Sequence, residues 1–290
     1  MIGNWKNYFL MFIGIIFLSN KNPEQAGTST SQPGTGTKCM IAGMHTLSIH
    51  VRDTLTQDSV YQFLLQKLML PVYYTPVTYS GKRYAGIYAG NMVLEPCGPY
   101  NNMNYAYDDF RAIFYGLNFE VNNSLEYFGP LLRNRGIRHQ VNKGSIYIRD
   151  SLLTNENIFT SLYEVSDKAK RDSLRKMLIT REKNNPGIEY IQEIMIGYKQ
   201  EINIEKWKEY LLPLKIEKNE LCQINDSLQI RFSKGRINEV NGIIFKVKSL
   251  QEAKKYFLNN RFLINESDKI IKLNPDQSYG LSFYFTDQKL

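Results

Sequence analysis

From Met44 to Arg52 apolar and polar residues alternate as in a strand; the spacing then lengthens to three or four at Val60, Phe63, Leu64 and Leu68, as in a helix. Thr56 is placed to cap that helix, and Leu70-Pro71 ends it. Three extended runs follow, at 72–79, 83–89 and 92–95, with Ser80-Gly81 and Gly90-Asn91 as the turns between them. The order is therefore β-α-β-β-β.

The same order returns three times. A strand at 113–121 leads to a helix with Asn123 and Glu126 at capping-box spacing and Leu125, Phe128, Leu131 and Leu132 as its apolar stripe. Extended runs at 137–141, 145–149 and 159–165 complete this unit. The third unit has a strand at 189–198, a helix from Asn203 carrying Ile204, Trp207 and Leu211, and runs at 221–224 and 227–232. The fourth opens with a strand at 242–247, then a helix that Ser249 and Glu252 start and Ala253, Tyr256 and Phe257 bury. Runs at 262–265, 269–273 and 281–285 close it. A polar helix over about 166–182, stopped by Asn184-Asn185-Pro186-Gly187, separates the second unit from the third.

The first forty residues follow a different pattern. Lys6 precedes an apolar run from Tyr8 to Leu18 that is short for a membrane span and suits a signal-peptide core. The alternative is an uncleaved N-terminal anchor, because no small-x-small cleavage site follows Leu18. Either reading implies export to the periplasm or cell envelope. The stretch from Asn20 to Lys38 has too little apolar surface to offset the entropy of ordering it and reads as a tether. The expected organisation is thus a signal or anchor at 1–19, a linker at 20–43, one domain at 44–165, a connecting helix and linker at 166–187, and a second domain at 188–290.

Composition changes this picture little. The formal charge of +8 is spread along the chain, so no nucleic-acid groove is expected. Its densest stretch, Lys168, Lys170, Arg171, Arg175, Lys176, Arg181 and Lys183, reads as a solvated helix face. Cys39, Cys97 and Cys222 fit no zinc spacing and suggest one linker cysteine and two core cysteines.

The repeated unit, with His45 to Asp53, Leu70-Pro71-Val72 and the run Ala85-Gly86-Ile87-Tyr88-Ala89-Gly90-Asn91-Met92-Val93-Leu94-Glu95, resembles the vicinal-oxygen-chelate (glyoxalase/bleomycin-resistance/dioxygenase-like) superfamily. The resemblance covers about 44–287. It implies an α+β fold of four β-α-β-β-β units paired into two glyoxalase-like domains, each closing a cup around a metal or small ligand. It also implies a divalent ion of unspecified identity, held by a first-strand histidine and a carboxylate at the end of the fourth strand.

Glu95 fits the carboxylate role. Position favours His45 as the histidine, whereas strand parity favours His50, which shares the polar face of Thr46, Ser48 and Arg52; only a bulge would bring His45 to the cup. Glu164 aligns by element order with Glu95 as a further ligand, and either carboxylate could move a proton. His139 reads as a loop or strand-edge residue, and Glu193 is the best-placed polar group in the later units. The implied activity is that of a metal-dependent lyase, isomerase or dioxygenase acting on a small oxygenated molecule. The alternative is a protein that sequesters a small molecule in the same cup. Nothing in the sequence sets the substrate or the oligomeric state.

Overall fold

The computed structural model describes residues 41–100, 111–122, 124–164, 167–180 and 184–289. The segment expected to be a signal or anchor, the tether to residue 40, Cys39 and Asn123 lie outside them.

The first two units form one eight-stranded sheet. Its elements are β1 (Ile41–Val51), α1 (Thr54–Gln62, continued by a π-helical turn at Phe63–Lys67), β2 (Val72–Tyr79), β3 (Lys82–Tyr88), β4 (Val93–Gly98), β5 (Ala112–Val121), α2 (Leu125–Asn134), β6 (His139–Asn142), β7 (Ser145–Ile148) and β8 (Phe159–Glu164). The strand order is β2-β3-β4-β1-β5-β8-β7-β6, so each unit's last strand lies parallel to its first, and the two first strands meet antiparallel at the centre.

After α3 (Lys168–Ile179), the later units repeat the plan with β9 (Ile188–Tyr198), α4 (Glu201–Leu211), β10 (Leu221–Asn225), β11 (Leu228–Lys234), β12 (Glu239–Val247), α5 (Leu250–Asn259), β13 (Ile264–Glu266), β14 (Ile271–Leu273) and β15 (Phe283–Thr286). These strands form a seven-stranded sheet in the order β10-β11-β9-β12-β15-β14-β13. The third unit has one strand fewer than its siblings, as its two extended runs imply; ahead of β10 there is an isolated bridge from Ile216 to Cys222.

Three helix starts differ from expectation, each for a local reason. Asp53, not Thr56, caps α1: its Oδ1 accepts from Thr56 N at 2.7 Å, leaving Thr56 inside the first turn. At α2 the capping side chain is Ser124, which accepts from Glu126 N at 3.3 Å. The helix α4 begins before Asn203, because Asn203 reaches back to accept from Gln200 N at 2.9 Å in a capping box. Ser249 caps α5 as its spacing with Glu252 predicts.

The helix-bearing faces of the two sheets share one apolar core. Phe63 stacks on Phe283 at 5.7 Å, and Phe119 meets Tyr210 edge-on at 5.9 Å, so side chains from each half fill the other. Fully burying a side chain of this size stabilises the fold by about 1.5–3 kcal/mol, enough to fix which face of each strand turns inward. The opposite face of the first sheet is left to carry polar residues. Cys97 and Cys222 are buried and form no disulfide.

Candidate ligand-binding cup

The face of the first sheet away from the core has a row of polar side chains at its centre. Parallel pairing sets Ser48 of β1 beside Glu95 of β4, and the same pairing in the second unit sets Asn118 of β5 beside Ser161 of β8. These positions are linked by hydrogen bonds. Ser161 Oγ donates to Asn118 Oδ1 at 2.6 Å, Asn118 Nδ2 donates to Ser48 Oγ at 3.2 Å, and Ser48 Oγ donates to Glu95 Oε2 at 3.1 Å. Tyr74 OH, from β2, donates to the other carboxylate oxygen at 2.5 Å. Gly116 makes room for this row, since a Cβ there would lie 2.9 Å from Ser48 Oγ.

Burial raises the Glu95 pKa above the ordinary carboxylate value, and this desolvation outweighs the opposing pull of the Tyr74 and Ser48 hydroxyls. The Tyr74 phenol is pushed well up by its own burial and by the Glu95 charge. A carboxyl in such a setting is suited to sharing a proton with an oxygen brought against it.

Both candidate histidines belong to this face, by different routes. The β1–β5 register skips a residue between Met44 and Thr46, making His45 the bulged residue. Its ring stacks on Tyr163 at 6.0 Å, and its Nδ1 lies 2.6 Å from Thr46 Oγ1. His50 follows the alternation of Ser48 and lies between the rings of Tyr100 and Tyr115, each 3.7 Å away. Tyr115 is itself the bulged residue of β5, the counterpart of His45 under the pseudo-twofold relating the two units. Burial, with the Arg171 charge second and Asp167 opposing, lowers the His45 pKa to about 4. Burial and Lys82 hold His50 well below its usual value. Both shifts favour the neutral imidazole.

Glu164 does not join Glu95. On β8, Ser161 and Tyr163 lie on this polar face while Leu162 and Glu164 face the helices, and Glu164 Oε1 accepts from Leu125 N at 2.9 Å at the start of α2. Alignment by element order missed the register by three residues: Ser161 is the residue that stands where Glu95 stands in the first unit. His139 lies on the edge strand β6, as expected of a strand-edge residue. In the second sheet Glu193 is fully buried and held by Arg231 through Nε at 2.7 Å and Nη2 at 3.0 Å, with Gln229 Nε2 at 2.5 Å.

The described residues do not fit the implied metal ion. The neighbour of Glu95 on the first strand is Ser48 rather than an imidazole. Among the described residues no three His, Cys, Asp or Glu side chains are grouped to hold an ion.

Ser48, Asn118, Ser161 and Tyr74 were not singled out as site residues from sequence. Strand parity with His50 could have found Ser48. The others depend on register, which no local signal sets.

Comparison with solved structures places this architecture. The chain is similar to the 2,3-dioxygenase LapB from Pseudomonas sp. KL28, with a TM-score of 0.54 at 10% identity over 86% of this chain and 92% of that one. It is similar to the Mn(II)-bound glyoxalase from Novosphingobium aromaticivorans, with a TM-score of 0.56 at 10% identity over 86% and 83%. It also matches homoprotocatechuate 2,3-dioxygenase from Brevibacterium fuscum in complex with 3,4-dihydroxyphenylacetate, with a TM-score of 0.52 at 10% identity over 89% and 84%. No protein-family model matches the chain, and no curated protein matches it by sequence.

Proposed function

The chain has the vicinal-oxygen-chelate fold, and from that premise we propose that its first cup binds a small oxygenated organic molecule directly through side chains, without a resident metal ion. The observation that carries this reading is Glu95: a desolvated carboxyl on the cup floor, held by Tyr74 and Ser48 at the head of a hydrogen-bonded row. A hydroxylated ligand would share a proton with Glu95, and the rings of Tyr100, Tyr115 and Tyr163 would supply apolar contact. A panel of catechol and 3,4-dihydroxyphenylacetate, screened by thermal unfolding, tests it. Binding to the folded state alone raises Tm, and at a hundredfold excess over Kd the gain is about 2.7 kcal/mol. A Tm rise that Glu95→Gln diminishes supports the proposal, and a rise indifferent to Glu95 refutes it.

A second reading is favoured by the structural neighbours, among them an Mn(II)-bound glyoxalase. It is a metal-dependent lyase, isomerase or dioxygenase in which Glu95 and one of His45 and His50 hold the ion. Metal analysis of protein purified without chelator decides between the two: one equivalent of ion, lost on Glu95→Ala, establishes the second. We infer further that the apolar run from Tyr8 to Leu18 directs export or anchors the chain in the cell envelope. Cell fractionation tests this, and recovery of the full-length chain in the cytosol would refute it.

A further inference from the structure

The connecting helix α3 lies against the first cup. Its Arg171 pairs with Glu120, a buried carboxylate on the cup face of β5 two positions beyond Asn118, and donates from Nη2 to the Asn91 carbonyl at 2.5 Å. Asp167, just before the helix, accepts from Tyr73 OH at 2.7 Å, and Lys170 Nζ stands 4.3 Å from the centre of the same ring. Leu174 packs on Tyr73, Tyr88 and Val93, a cluster separate from the main core. Val93 shares the face of Glu95 on β4, so α3 covers one end of the polar floor, the end where His45 lies.

The grip of this helix is mostly polar. Leu178, which reaches the main core, is its one buried residue, whereas α2 buries Leu125, Phe128, Gly129 and Leu132 and α4 buries Asn203, Ile204, Trp207, Tyr210 and Leu211. Asp167 makes no capping bond to the helix, its carboxylate being taken by Tyr73. A helix of 12 residues is marginal in water without an apolar face to bury. Segments with few buried apolar contacts open at the lowest local free energies.

We propose that α3 is a lid on the first cup, latched by Arg171 on Glu120 and by Asp167 on Tyr73, which lifts to admit a ligand. The proposal rests on the ligand-binding reading of that cup for its purpose, but its test needs no ligand. Hydrogen exchange of the full chain reads the opening of α3, and diethylpyrocarbonate modification of His45 reads exposure of the cup, with His139 on the edge strand as internal reference. Arg171→Ala alone would leave Glu120 buried and unpaired, so the latch is removed with the double variant Arg171→Met/Glu120→Gln and, independently, with Tyr73→Phe. In the parent chain, amides of α3 exchange at least tenfold faster than those of α2. In both variants α3 exchange and His45 modification rise severalfold while β5 exchange and His139 modification hold. Exchange of α3 only together with the central strands overturns the proposal. So does a parallel rise at β5, which would make α3 a structural brace, or an opening of α3 that leaves His45 unmodified.

Discussion

Tyr74 donates its hydroxyl to Glu95 at 2.5 Å across the polar face of the first sheet, joining the edge strand β2 to the row that runs through Ser48, Asn118 and Ser161. The bond favours the charged carboxylate while burial opposes it, and burial is the larger effect.

Glu95 therefore weakens the fold as it ionises. Its folded pKa is raised, so its contribution to stability is fully present below the unfolded value of about 4.3 and is lost as pH rises through the folded value. Glu95→Gln removes this loss, and denaturant titrations across that range are expected to show a flatter profile than the parent. Tyr74→Phe strips one oxygen of its donor and is expected to cost about 1–3 kcal/mol at pH 7.

His45 has the opposite sign. Its pKa falls to about 4, so the stability of burying it neutral is present above about 6.5 and is lost as pH falls toward 4. The full shift corresponds to about 3 kcal/mol, less whatever solvent screening removes. His45→Asn is expected to shallow the acid limb of the stability curve, leaving the slope due to His50, whose shift has the same direction.

Glu164 belongs to a helix end and not to the cup. Glu164→Ala is expected to cost about 0.5–2 kcal/mol of stability through loss of the acceptor at Leu125 N. Ligand affinity, measured by calorimetry, is expected to stay at the parental value.

The second sheet carries a buried ion pair whose breakage is severe. Arg231→Met leaves the Glu193 carboxylate, 1% exposed, with Gln229 as its remaining side-chain donor among the described residues, and is expected to cost about 3–5 kcal/mol. The double variant Arg231→Met/Glu193→Gln is expected to recover most of this in urea unfolding.

Element order and the pairing of units were legible because strand and helix periods are local and the turn residues mark their ends. Parity placed His50 on the face of Ser48, and the need for a bulge at His45 followed from Leu47, Ile49 and Val51 on the buried face. Register was not legible. The alignment of Glu164 with Glu95 failed because pairing between β5 and β8 is set by how Leu117, Phe119 and Leu162 pack, at a distance no sequence window spans. The basic stretch around Lys168 to Lys183 reads as solvated, yet Arg171 turns onto Glu120, since a lone carboxylate on a strand gives no sign of the helix that will cover it.

The most direct test of the central claim is calorimetric titration of catechol into chelator-treated protein, the parent beside Glu95→Gln. Binding through the side chains of the cup predicts that affinity survives metal removal and falls at least tenfold, about 1.4 kcal/mol, in the variant. Binding that returns only when a divalent ion is restored, or that is equal in both proteins, would contradict it.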